Sequence, residues 1–167
     1  IRHEKYMGVM ITEKGMQVAL GIIRKHRLWE VFLVNKLGFK WDEVHDMAEE
    51  LEHVASVEMI DRLDRFLNFP KTDPHGDPIP DANGKMKKDI SVKLSALNKN
   101  VRGVVCGVIN HSPVFLRHLE KIKISIGLTF KVVEKNEFDN AMTIKVSKST
   151  LHISREVASN LLVKPIK

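Results

Sequence analysis

The sequence of 167 residues predicts an α+β protein in which a helical domain is followed by a small β-rich domain. Apolar residues recur at helical spacing through residues 13–67, whereas short stretches typical of β-strands dominate from residue 101 onward. Residues 70–84 separate the two patterns and hold four of the six prolines and two of the nine glycines, a density that excludes regular structure. Such a division is typical of two modules.

Three helices are predicted in the first part, and two of them have a clear N-cap. Thr12 and Ser56 are expected to cap the first and third helices, and Gly38 is expected to end the first. The predicted ranges are residues 5–12 for a short strand and residues 13–36, 41–55 and 57–67 for the helices.

The second part predicts four short strands with one helix among them and one after them. Alternating apolar residues indicate the strands, and apolar residues spaced for burial indicate the helices. The predicted strands are residues 101–109, 128–133, 141–146 and 150–153, and the helices are residues 113–122 and 155–162.

Composition excludes several classes of protein. With 43% hydrophobic and 29% charged residues, the chain is neither disordered nor collagen-like. No apolar run approaches the roughly 20 residues that span a bilayer, so no membrane partner is expected. The single cysteine, Cys106, excludes an internal disulfide and a thiolate zinc cluster. A cytoplasmic location is therefore expected.

Charge is distributed unevenly along the chain. Residues 1–85 contain 12 basic and 15 acidic residues, whereas residues 86–167 contain 15 basic and 6 acidic residues. This asymmetry raises the prospect of an anionic partner for the second half, but a solvated lysine surface is the simpler explanation. Charge alone therefore does not indicate a nucleic-acid partner.

The second predicted helix carries an unusual set of metal-ligating residue types. The segment WDEVHDMAEELEHVA contains six acidic residues and two histidines but neither lysine nor arginine. At about 100° per residue, His45, Glu49, Glu52 and His53 lie within an arc of roughly 100°. Clustered carboxylates repel one another unless a cation compensates them. A solvated acidic helix with incidental histidines remains the alternative.

The first predicted helix adds a pair of possible metal ligands. His26 and Glu30 are four residues apart and therefore share one face of a helix whose apolar neighbours predict burial. The pair alone could be structural, but two such sets on neighbouring helices favour a metal site. Nitrogen and oxygen ligands without thiolate suit Mn(II) or Fe(II), with Zn(II), Co(II) and Ni(II) as surrogates. No HExxH spacing supports a hydrolytic metal centre.

Three ordered blocks, RKHRLWEVFL, WDEVHDMAEELEHVAS and FPKTDPHGDPIP, resemble the diphtheria toxin repressor and manganese transport regulator family. Members of this family are metal-activated, dimeric bacterial transcription repressors. The opening KYMGVMITEKG is similar to the end of the family's winged helix-turn-helix. The block NHSPVFLRHLEKIKISIG is similar to its C-terminal SH3-like domain.

This resemblance implies a helical metal-binding and dimerisation domain followed by a small SH3-like β-barrel, also called FeoA-like. The implied ranges are residues 1–12 for a remnant of the wing, 13–72 for the helical domain, 73–88 for a linker and 89–167 for the SH3-like domain. Most of the DNA-binding domain is expected to be missing from this sequence.

The resemblance also implies two sets of metal ligands. One set matches Glu49, Glu52 and His53, and relatives complete it near their N-terminus. The other matches His26, Glu30 and His45, with additions from the C-terminal domain. Asp73 and His75 match a loop that contributes ligands in some members, and His111 is a possible substitute where some relatives have an acidic ligand and this chain has Asn110. Glu49 favours Mn(II) because iron-responsive members tend to have cysteine there.

The sequence therefore predicts a metal-responsive repressor controlling metal-ion homeostasis, most simply a manganese-dependent homodimer that reaches operator DNA through the missing N-terminal domain. Two alternatives remain open: a metal-dependent enzyme using Glu49 or Glu52 as general base, and a purely structural dimerisation module. No arrangement of nucleophile, base and orienting residue is recognisable, nor is a phosphate-binding loop, so no enzymatic activity is expected.

Overall fold

The computed structural model describes residues 2–4, 8–54, 56–87 and 90–166. The chain divides into two compact units. The first contains Ile1–Asp73 and Pro78–Lys88, and the second contains Pro74–Asp77 and Asp89–Lys167. The four residues Pro74–Asp77 therefore belong to the second unit, although the chain returns to the first unit directly afterwards.

The first unit is built from three helices and a two-stranded hairpin. Thr12 Oγ1 accepts a hydrogen bond from the Gly15 amide, and Ser56 Oγ accepts one from the Met59 amide, so both helices begin where a side chain satisfies a free backbone donor. The bounds are β1 Arg2–Glu4, β2 Gly8–Met10, α1 Glu13–Leu37, α2 His45–Val54 and α3 Val57–Phe66.

The sequence predictions for α1 and α3 are confirmed to within one residue at each end. Gly38 ends α1 with φ of +75°, a backbone conformation that glycine adopts without strain. The short strand predicted at residues 5–12 is found at Gly8–Met10, where β2 pairs antiparallel with β1, a strand that was not predicted. Residues 5–7 of that prediction lie outside the described residues.

The second helix begins four residues later than predicted. Residues 41–44 form a turn in which the Lys40 amide donates to Glu43 Oε2 over 3.2 Å. The Glu43 amide donates back to the Lys40 carbonyl, so the turn satisfies these groups without a helix. Ala55, the predicted end, lies outside the described residues. His45 consequently stands at the first turn of α2.

One apolar cluster holds the helices of the first unit together. Leu28 on α1 and Val44 just before α2 are fully buried, and Ile60 on α3 is nearly so. At about 25 cal/mol per Å² of buried apolar area, such side chains supply most of the driving force for packing. The other buried members are Trp29, Val31, Leu33, Ala48, Leu63 and Ile79.

The second unit is a six-stranded antiparallel sheet with two helices. The strand order is β3-β8-β4-β5-β6-β7. Ser112 and Ser154 cap the two helices through their hydroxyl oxygens. The bounds are β3 Val92–Lys93, β4 Arg102–Val108, α4 Pro113–Lys121, β5 Thr129–Lys135, β6 Met142–Val146, β7 Ser149–Ile153, α5 Arg155–Asn160 and β8 Leu161–Ile166, with a short 3-10 helix at Leu94–Ala96.

The four strands and the first helix predicted for this unit are confirmed within two residues at each end. The last helix is shorter than predicted, because the chain leaves it at Leu161 to form β8 between β3 and β4. Leu161 and Val163 are buried in alternation with more exposed neighbours, which is the period of a strand. Neither β3 nor β8 was predicted.

Gly76 marks a close approach of two backbone segments within the second unit. Its φ is +92°, and a Cβ built there would lie 2.0 Å from the Cys106 carbonyl oxygen and 2.5 Å from the Gly107 Cα. The Val108 amide donates to the His75 carbonyl over 3.0 Å beside this contact. Glycine is therefore required here for space as well as for conformation.

Gly76→Ala should destabilise the second unit much more than Gly127→Ala. Both glycines have positive φ, +92° and +88°, so each alanine costs about 1 kcal/mol in backbone strain. Only Gly76→Ala also forces rigid backbone atoms apart, which should cost about 2 kcal/mol or more in addition. Urea denaturation followed by circular dichroism measures both free energies of unfolding, and equal losses would contradict the assigned backbone contact.

Candidate metal centre

The packing of α1 against α2 brings together three predicted ligands. His26 and Glu30 lie one turn apart on α1, and His45 is the first residue of α2. Each offers a ligand atom, and these atoms all lie within 4.8 Å of one another. The rings of His26 and His45 meet edge to face with centroids 4.9 Å apart. One cation could therefore contact all three side chains after small rotamer changes.

Polar contacts extend this cluster in both directions. His26 Nε2 lies 3.2 Å from Glu30 Oε1, and His26 Nδ1 lies 2.8 Å from Glu52 Oε2 on α2. Glu30 Oε1 is also 3.8 Å from His45 Nδ1, and Glu52 Oε1 is 3.8 Å from His53 Nε2. Five side chains thus form one continuous series, in the order His45, Glu30, His26, Glu52, His53.

The two carboxylates favour the protonated form of His26. Burial lowers the pKa of the His26 imidazole, but hydrogen bonds and charge attraction from Glu30, and then from Glu52, outweigh burial and raise the pKa above its ordinary value. A carboxylate oxygen can only accept, so both contacts are satisfied together when both ring nitrogens carry a proton. The ring therefore occupies a position that favours positive charge.

Glu30 has a second carboxylate near it. Glu30 and Asp73 are 2% and 7% exposed, and each offers an oxygen within 4.8 Å of the other. Burying two carboxylates this close is unfavourable without positive charge. Arg27 supplies part of it, since its Nε lies 3.5 Å from Asp73 Oδ2. The donor set and its negative charge fit a divalent cation with oxygen and nitrogen ligands.

The candidate ligands His75 and His111 both belong to the second unit. Their rings stack with centroids 4.8 Å apart, and His75 is 2% exposed. His111 Nε2 is 3.8 Å from Asp77 Oδ2. Asn110 uses its side-chain oxygen to accept a hydrogen bond from the Ser112 amide, at the start of α4. The structure therefore assigns the Asn110 oxygen a local turn contact.

The predicted ligands of α2 are not all brought together. Glu49 is exposed and makes no side-chain contact with any described residue, and His53 is exposed apart from its approach to Glu52. Sequence reasoning placed Glu52 with these two, whereas the closest contact of Glu52 is to His26. It also missed Arg27 and Asp77, whose contacts depend on loops far along the chain. For Arg27, the only signal in the sequence was the presence of a basic residue next to a predicted ligand, His26.

None of the described helices combines the length and the apolar character that crossing a membrane requires.

Two family models match the chain, one for each predicted domain. Residues 12–81 match the iron dependent repressor, metal binding and dimerisation domain, and residues 92–165 match the FeoA domain. The iron-dependent repressor IdeR of Mycobacterium tuberculosis is 49% identical over 70 residues, which are 42% of this chain and 30% of IdeR. The chain thus aligns with less than a third of that curated relative.

Solved structures match over nearly the whole chain. A manganese-dependent transcriptional repressor in complex with manganese superposes with a TM-score of 0.89 and 38% identity, covering 95% of this chain and 76% of that chain. A second manganese-dependent transcriptional repressor has a TM-score of 0.83 and 37% identity, covering 93% of this chain and 86% of that chain. The predicted combination of a helical domain with an SH3-like domain is confirmed.

Proposed function

Since the chain belongs to the diphtheria toxin repressor family of metal-dependent transcriptional repressors, we propose that it is the metal-sensing and dimerisation part of a DNA-binding repressor that controls metal-ion homeostasis in the cytoplasm. The observation that carries this proposal is the cluster of His26, Glu30 and His45, whose ligand atoms lie within 4.8 Å of one another. Relatives extend well beyond the aligned segment, so base-specific operator contacts are proposed for a part of the protein outside these residues.

His26, Glu30 and His45 are proposed to hold the cation, with Asp73 as a further oxygen donor from the same unit. A bound divalent cation would add positive charge to that which His26 and Arg27 already place beside these two buried carboxylates. The ligands come from both α1 and α2, so binding favours the arrangement in which these helices are packed against each other. We propose that α3 and α1 form the dimer interface. Metal binding would then fix the dimer in one geometry, which is how metal would govern operator binding.

Glu52 is proposed to be a positioning residue for this site. Its Oε2 lies 2.8 Å from His26 Nδ1, so it can accept the Nδ1 proton and orient the imidazole. Nε2 would release its proton when it binds the cation. Glu52 also approaches His53. Glu49 and His53 are proposed to form, with Glu52, a second site completed by ligands from outside the chain. In the second unit, His75 and His111 are retained as candidate ligands.

Mn(II) is the proposed physiological metal. The ligands are carboxylates and imidazoles, and Glu49 offers a hard oxygen where a thiolate would favour softer ions. The two solved relatives described above are manganese-dependent repressors, whereas IdeR is an iron-dependent repressor. Fe(II) is the second choice, and Zn(II), Co(II) and Ni(II) are proposed as surrogates. Since the relatives named above are repressors, no enzymatic activity is proposed.

Mn(II) should raise the melting temperature of the first unit through His26 and His45. A ligand that binds only the folded state stabilises it by about 2.7 kcal/mol at a hundredfold excess over Kd. The double variant His26→Ala/His45→Ala should lose this rise, whereas His118→Ala, an exposed histidine on α4, should keep it. Calorimetry with manganese chloride and with EDTA tests the site. A rise retained by the double variant would contradict it.

Glu52→Gln should weaken Mn(II) binding about tenfold to a hundredfold, because removing an outer hydrogen-bond partner of a ligating histidine costs that much. Glu50→Gln is the matched control, since it removes the same charge from an exposed position of the same helix. Isothermal titration calorimetry compares the affinities. Equal losses in the two variants would show that only the overall charge of α2 matters.

The exposed apolar residues of α3 should hold a homodimer together. Val57 and Met59 are 72% and 49% exposed, and Phe66 is 59% exposed on the same helix. Introducing charge there with Val57→Glu/Met59→Glu should yield a monomer, because burying an unpaired carboxylate in an interface is unfavourable. Val114→Glu on α4 replaces an equally exposed valine and should leave the dimer intact. Sedimentation velocity decides, and an undissociated double variant would place the interface elsewhere.

A further inference from the structure

Three basic side chains stand directly opposite one another across the sheet of the second unit. Arg102 on β4 pairs with Lys131 on β5, and Lys131 pairs with Lys145 on β6. Adjacent strands are about 4.8 Å apart, so the three Cα atoms span only about 10 Å. We call these three residues the basic row.

The basic row lies on the outer face of the sheet. Arg102, Lys131 and Lys145 are exposed, while the neighbours Gly103, Phe130 and Ile144 are buried on the opposite face. No ion pair or hydrogen bond to any described residue is found for the side chains of the basic row. Like charges placed directly opposite on neighbouring strands destabilise a sheet. An anion from outside the domain would relieve this repulsion.

The surface around the row is a shallow groove and not a flat plane. Leu128 and Thr129 at the start of β5 and Ser147 in the turn after β6 line it together with the three cations. Among the described residues that line it, Phe130 is the one aromatic residue, and it is 2% exposed. The groove therefore offers positive charge but no aromatic platform for stacking the bases of a single strand.

The spacing of the three positive charges in the basic row favours one kind of polyanion over another, duplex DNA over an extended acidic peptide. Along one strand, duplex DNA carries one negative charge per about 3.4 Å of its axis, so a length of 10 Å presents about three phosphates. An extended acidic peptide presents side chains to one face only every second residue, or about 7 Å, and offers about two carboxylates over the same length. Three flexible cations within 10 Å are better matched by the duplex.

We propose that the basic row of the SH3-like domain binds the phosphate backbone of duplex DNA. The contact is independent of base sequence, because flexible cations in a shallow groove meet phosphates and not base edges. It is also independent of the metal cluster on α1 and α2. In a dimer, two such rows add phosphate contacts beside those that recognise an operator, and they increase the salt dependence of binding.

The test uses the 167-residue chain and a fluorescein-labelled duplex of about 20 base pairs with arbitrary sequence. Anisotropy measured in EDTA between 50 and 200 mM salt gives the slope of log affinity against log salt. Each neutralised phosphate contributes about −0.9 to that slope, so the row of one protomer accounts for about −2.7. This slope corresponds to a loss of affinity of about fortyfold over the measured range.

The variant Arg102→Gln/Lys131→Gln/Lys145→Gln should bind at least about tenfold more weakly at 50 mM salt, with the slope reduced by about 2.7. Lys99→Gln/Lys121→Gln/Arg155→Gln removes the same charge from exposed positions outside the groove and should largely retain both affinity and slope. The row variant should also melt at the same temperature as the parent or slightly higher, because three mutually repelling charges are gone.

Three outcomes would overturn the proposal. Equal losses in the row variant and the control variant would mean that net charge alone drives binding. Unchanged DNA binding by the row variant, with loss of binding to polyglutamate or to vesicles containing phosphatidylserine, would assign the row to a different anion. Loss of DNA binding in His26→Ala/His45→Ala would make the contact depend on the metal cluster, whereas retained binding there supports the row even if the metal site fails its own test.

Discussion

The buried carboxylate of Glu30 constrains how α1 and α2 pack in the first unit. A carboxylate that is 2% exposed is stable only when hydrogen bonds or positive charge compensate the lost hydration. His26 meets this need from one turn earlier on α1, and His45 Nδ1 approaches the same carboxylate to 3.8 Å from the first residue of α2. The start of α2 is thus tied to a polar requirement of α1, while Leu28 and Val44 supply the apolar burial around it.

Local signals in the sequence were sufficient for elements whose ends depend on neighbouring residues. Thr12, Ser56 and Gly38 act within three residues of a helix end, and each prediction based on them is confirmed. The late start of α2 and the strand β8 could not be predicted in this way. The turn before His45 is closed by the Glu43 side chain, and a glutamate is equally compatible with a helix. Leu161–Ile166 becomes a strand because β3 and β4 lie on either side and pair with it.

In the candidate site, too, contacts set by local spacing could be predicted from the sequence, whereas contacts set by tertiary packing could not. The spacing of four between His26 and Glu30 placed both on one face of a helix, so their contact could be predicted from the sequence. The sequence also placed the histidines and glutamates of α2 on one side of that helix. The pairing of Glu52 with His26, however, depends on how α2 is rotated against α1. Arg27 reaches Asp73 across 46 positions of the chain, a contact that no periodicity encodes. The roles of these residues as ligands remain proposals that the geometry supports.

The assignment of Pro74–Asp77 to the second unit limits how the protein can be divided. The chain passes from the first unit to the second after Asp73, returns at Pro78, and crosses again after Lys88. Cleavage after Lys88 would leave Gly76 and its neighbours attached to the helical part, separated from the strand β4 against which they pack. No single cut therefore yields two intact halves. Recombination that exchanged the SH3-like domain among relatives would have to replace this short loop together with the domain.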